Sequence, residues 1–178
     1  MAEIIQISDI RRQSALQHGF SAWKQQFRRS FSEQTGLRDL DHCILRQLAD
    51  PGETSTRLFN ALIIGFLGLG DLSFDVLDHR LQSRIIDVQL FLSDQVHFEM
   101  MARLGWLEAY GGREDALFEM VLRFDEARQD YRDQPPRLSP DFPGFSEYAA
   151  LIDRDRQVFI RRLIPSALKA FSQEFGRE

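Results

Sequence analysis

Apolar residues recur every three or four positions through most of the chain, the spacing that lines one face of a helix. In "SDIRRQSALQHGFSAWKQQFRRSF" the recurring set is Leu16, Phe20, Trp23, Phe27 and Phe31, with Ser8 or Asp9 placed to cap the start. "LRDLDHCILRQLAD" puts Leu37, Leu40, Ile44 and Leu48 on one side and stops at Pro51-Gly52. "ETSTRLFNALIIGFLGLG" reads as a third helix, apolar in nearly every direction. Gly70 and Asp71 then make a stop and a restart. A long helix is expected from about Ser73 to Trp106, ended by "YGGRED". "DALFEMVLRFDEARQDY" is amphipathic through Leu117, Met120, Val121, Phe124 and Tyr131. A last helical block runs from Phe145 to about Phe175, with Tyr148, Ile152, Phe159 and Leu163 on one face and a kink or break expected at Pro165.

The stretch "RDQPPRLSPDFPG", residues 132–144, holds four prolines and cannot form a regular element. It is long for a loop, so it is a crossover, a lid or a linker. Alternation of the strand type is confined to a short "EIIQI" at the start. The pattern predicts an all-α fold: one helical domain over residues 1–178, a bundle of about six helices with the Pro-rich crossover before the last.

Composition narrows the function classes. The 178 residues are enough for one sizeable core, and 43% hydrophobic with 28% charged residues is ordinary for a folded chain. A net charge of -5 argues against nucleic acid as the partner and suits a cytoplasmic protein. The longest apolar run, Leu58 to Gly70, is too short to span a bilayer, and the N-terminus shows no secretory pattern, so no membrane association is expected. Cys43 is the single cysteine, which rules out an internal disulfide and a cysteine-rich zinc site; beside the apolar face of its helix it reads as a small buried residue. Lysine occurs only at Lys24 and Lys169 against many arginines, which codon bias in a GC-rich genome accounts for, an arginine surface for phosphate being the minor alternative.

"GFLGLG" lacks the preceding strand that a phosphate-cradling loop needs, so its glycines read as close helix packing and a C-terminal cap. An acid three residues before a histidine occurs twice, as Asp39/His42 and Asp94/His97, a spacing that places both side chains on one helix face. A two-metal carboxylate bundle needs more ligands, and His42 and Glu119 point away from the apolar faces of their helices. No metal, cofactor or catalytic set is therefore assigned.

Asp87, Asp94, His97 and Glu99, the polar residues inside the apolar segment Arg84 to Leu107, raise the main site expectation. Asp87 and Asp94 lie on one line of the long helix, with His97 on the next. Arg128, Asp155 and Arg162 fall inside the apolar faces of later helices by the same angular count. Some of Asp87, Asp94, His97, Arg128, Asp155 and Arg162 are expected to form a buried or half-buried charged network, since buried charges need partners. The functional expectation is a non-enzymatic binding or assembly protein acting through protein contacts. The alternatives are an enzyme or small-molecule sensor with a polar pocket around Asp94 and His97, and a metal-carboxylate bundle. A homodimer or a protein partner is expected through the Leu58–Leu69 helix and part of the long helix, because both look apolar all round and six helices cannot easily cover two such elements.

Overall fold

The structure is a computed structural model that describes residues 7–176. Among these residues the chain forms nine α-helical segments and two isolated antiparallel bridges, with no strand. The short "EIIQI" lies outside the described residues but for Ile7, which is helical. Helix α1 (Ile7–Phe27) runs antiparallel to α3 (Glu53–Phe66), with α2 (His42–Ala49) between them in sequence. The direction is fixed by Trp23, whose indole Nε1 donates to the Leu58 carbonyl at 2.9 Å, and by His18, 3.4 Å from Asp71 beyond the other end of α3. The two helices touch backbone to backbone: a Cβ on Gly65 would lie 2.2 Å from the Gly19 nitrogen. Helix α3 closes through Gly68 and Gly70, both left-handed at φ 75° and 65°. The "GFLGLG" glycines thus make a close helix crossing and a helix end.

Helix α1 stops at Phe27, where the backbone turns through Arg28 at φ 53°. Phe31 nevertheless rejoins the same aromatic cluster, stacked on Phe20 at 5.2 Å and edge-on to Trp23 at 5.7 Å. The apolar period therefore outlasts the helix. The long helix α4 (His79–Arg103) begins after a 3₁₀ turn at Phe74–Val76 and is capped by Asp78, whose carboxylate accepts from the Leu81 N–H. Helices α5 (Leu117–Leu122) and α6 (Phe124–Asp133) are one amphipathic block broken at Arg123. The last block divides into α7 (Phe145–Ala149), α8 (Asp153–Arg162) and α9 (Ile164–Phe175). Pro165 sits in the first turn of α9, where its missing N–H costs nothing. These breaks turn about six sequence blocks into nine segments.

Two apolar clusters share α4. Ile85, Val88, Leu92, Val96 and Met100 pack with Trp23, Phe59, Leu62 and Phe118. Phe98 and Met101 pack with Tyr110, Leu138, Tyr148, Ile160 and Ala167. Double service explains why α4 is apolar in so many directions. Its His79–Ile86–Leu90–His97–Leu104 line is exposed in the first half and half-buried in the second. Helix α3 needs no partner chain for cover, since Leu58, Phe59, Leu62, Ile63, Ile64 and Phe66 are all buried. One of the two surfaces on which the expected homodimer rested is thus absent, leaving Ile86 and Leu90 on α4.

The segment between α6 and α7 is a packed crossover. Its Arg137 carbonyl accepts from the Glu108 N–H at 2.9 Å, and its Ser139 N–H donates to the Trp106 carbonyl at 2.8 Å. Leu138 is buried in the second cluster. Among the described residues, no helix is long and apolar enough to cross a membrane.

Candidate functional site

Among the described residues, the one carboxylate fully drawn into the interior is Glu99, 1% exposed on α4. It lies seven residues after Leu92 and eleven after Val88, so it shares their inward direction. Arg103, one turn further on, donates from Nε to Oε1 at 2.9 Å, and Arg113 donates from Nε to Oε2 at 2.9 Å. Arg103 also donates to the carbonyls of Leu37 and Arg38, both at 3.1 Å. Its Nη1 lies 3.2 Å from His42 Nδ1, which must be the accepting nitrogen because a guanidinium only donates. The His42 ring stacks on Phe175 at 4.0 Å rather than facing water. Hydrogen bonding to Glu99 raises the Arg113 pKa, and burial first, then the Glu99 charge, raises that of Tyr110. This cluster joins α4, the chain before α2, and the turn after Tyr110.

Asp94 and Arg161 form a second pair at 2.7 Å, with both groups partly open to solvent. The Arg161 guanidinium lies 5.8 Å from the centre of the Phe98 ring. His97 is half-buried, with Nε2 3.4 Å from the Ala49 carbonyl and Nδ1 buried without a partner. Burial is the main cause of its lowered pKa, opposed by the Ala49 hydrogen bond and the Asp94 charge.

The other expected members of the network are elsewhere. Asp87, Arg128, Asp155 and Arg162 are exposed. Asp87 lies on the half of α4 that has one covered side, so its short side chain reaches water. Arg128 places its guanidinium 5.9 Å from the Phe124 ring centre, carrying its charge out along the edge of the core. The angular count that sets Asp155 and Arg162 on an apolar face holds only for a continuous last helix. The break at Ile152, itself 70% exposed, resets the helical phase and turns Arg161, not Arg162, toward Asp94. Cys43 is exposed, contrary to its sequence reading. Glu99, one of the polar residues that the sequence sets inside the apolar segment, is the centre of a network in which the sequence reading did not include it. Its spacing to Arg103, four residues on, was the available signal. Arg113, beyond the Gly111-Gly112 turn, gave none.

A different feature has the dimensions of a ligand site. A cleft of about 640 Å³ opens between the end of α6, the crossover and α8, with Tyr131 and Tyr148 in its walls. Four arginines line it, Arg132, Arg137, Arg154 and Arg156, against two aspartates, Asp133 and Asp153. Arg156 is anchored: it donates to the Ala149 carbonyl at 2.9 Å, lies 3.5 Å from Asp153 and sits over the Tyr148 ring. Its Nε is buried and unpaired. Gln157 donates from Nε2 to the Pro136 carbonyl at 3.1 Å, which leaves its buried Oε1 unpaired. The side chains of Arg132, Arg137 and Arg154 have no hydrogen-bond or ion-pair partner among the described residues. Among those residues no group of three His, Cys, Asp or Glu side chains converges to hold a metal ion. No family model, no curated protein and no solved structure matches the chain.

Proposed function

We propose that this chain is a non-catalytic helical binding or assembly protein that acts through protein contacts. The observation that carries the reading is the pairing of the α4 carboxylates, buried Glu99 and partly exposed Asp94, with guanidinium groups. Glu99 is held by two arginines and Asp94 by one. A carboxylate so engaged is not available as a base, a nucleophile or a metal ligand. The contact surface is the outer face of α4, where Ile86 and Leu90 stand 44% and 61% exposed one turn apart. The partner is a second copy of the chain, closed two-fold pairing being the commonest arrangement.

Light scattering at micromolar concentration tests this on the wild-type chain and on Leu90→Glu. The expected result is about twice the 20.7 kDa chain mass for the wild type and a single chain mass for the variant. A wild-type monomer at every concentration ends the second-copy reading. The enzyme or sensor alternative at Asp94 and His97 keeps one supporting observation, the unpartnered Nδ1 of His97. Against it, Asp94 is spent on Arg161.

A further inference from the structure

We infer that the arginine-lined cleft is a binding site for a small molecule carrying at least two oxyanion groups, phosphate or carboxylate. This goes beyond the protein-contact reading and does not depend on it. The cleft brings together side chains from three places in the chain: Arg132 from α6, Arg137 from the crossover, and Arg154 and Arg156 from α8. Like charges gathered this way repel one another unless something compensates them. The structure compensates only in part. Asp153 lies at ion-pair distance from Arg156, and Asp133 accepts from Gln129, but three guanidiniums remain without a carboxylate. The chain as a whole is acidic, at -5, so four arginines against two aspartates make a local reversal of sign rather than a sample of the surface.

The chemistry of the donors selects the ligand. A guanidinium offers parallel N–H groups at the spacing of two oxygens of one phosphate or carboxylate, and it stays charged at any working pH. Several such forks, supplied by different elements of the chain, suit a molecule with more than one anionic group. The volume of about 640 Å³ falls within the range of roughly 300–1,000 Å³ typical of small-molecule sites. A nucleic-acid surface would instead require a basic face extending along the molecule. The Tyr131 and Tyr148 rings and Pro135 give the cleft apolar wall against which the body of such a ligand can lie.

Calorimetric titration of the full chain with pyrophosphate and with citrate tests the inference. The variants are Arg132→Gln/Arg137→Gln/Arg154→Gln and a control of equal charge change, Arg11→Gln/Arg57→Gln/Arg80→Gln. All six positions are exposed, so both variants should keep the fold. At least one of the two anions is expected to bind the wild type and the control alike, and the cleft variant at least about tenfold more weakly, since hydrogen bonds to charged groups are involved. Preference for pyrophosphate identifies a phosphate ligand, and preference for citrate a carboxylate one; either supports the site. Failure of both anions to bind, or equal loss in both variants, overturns it. So does binding confined to a long polyanion such as single-stranded RNA or polyglutamate, because the small-molecule claim then fails.

Discussion

Changing Glu99 to glutamine keeps the shape of the side chain and removes its charge. In the folded chain this carboxylate accepts Arg103 Nε at 2.9 Å and Arg113 Nε at 2.9 Å, with Arg113 Nη2 at 3.4 Å. An amide in its place turns an NH₂ donor toward a guanidinium donor, and leaves two cations without a counter-ion. Arg113, 27% exposed, can swing partly into water. Arg103, 14% exposed and tied to the Leu37 and Arg38 carbonyls, cannot do so without releasing the chain before α2. Breaking a buried pair by removing one partner typically costs about 3–5 kcal/mol. For a chain of this size that is a drop in midpoint of roughly 6–20 °C.

Arg113→Gln should cost less, about 1.5–3 kcal/mol, because Glu99 keeps Arg103. The double variant should cost less than the sum of the singles, since each removes the same contact. Urea unfolding of the four proteins gives both the free energies and the coupling. The buried-pair reasoning fails if Glu99→Gln unfolds within about 0.5 kcal/mol of the parent, the range of ordinary surface changes. None of this makes the cluster a net source of stability. Replacement of all three groups by well-packed apolar side chains can be neutral or favourable. The prediction concerns the cost of leaving charges stranded.

Two other outcomes follow from the geometry. Gly65→Ala should gain about 1 kcal/mol of helix propensity yet destabilise the chain by at least about 2 kcal/mol net, because its Cβ would press on the Gly19 backbone; a rise in the thermal midpoint would contradict the close crossing. The His97 pKa is lowered by burial, so between the folded value and the unfolded value near 6.5 the unfolded chain binds the proton and the folded chain does not. Stability from this group is therefore complete above that window and falls as pH falls through it. His97→Gln should show a smaller loss of midpoint than the wild type between about pH 7 and pH 5, and equal losses would remove the assignment.

What the sequence made legible was local, and what it hid was set across the chain. Each helical block carries its own period, so the helical class, the Pro-rich crossover and close helix packing at the "GFLGLG" glycines could be read without the fold, whereas the partner at that packing, Gly19 of α1, could not. Angular counting within one helix is sound only while the helix is continuous. It failed for Arg162 because α7 and α8 are separate, and one residue of phase is 100° of rotation. Periodicity also says how much apolar surface an element has, but not how many neighbours share it. Helix α4 reads as apolar all round because two different clusters use its two sides, with Val96 facing one and Phe98 the other. That same double burial kept Glu99 from being singled out among the polar residues of its segment: on a helix with no polar side, no acid looks more buried than another. The arginine cleft was hidden for a different reason. Arg132, Arg137 and Arg154 are unremarkable singly, each an exposed cation in its own element. They become one site only because the Leu107–Leu138 bridge pins the crossover against the turn after α4, and Gln157 ties α8 to the Pro136 carbonyl. The excess of arginine over lysine was visible in the sequence. The gathering of four arginines around one cleft is a property of the fold.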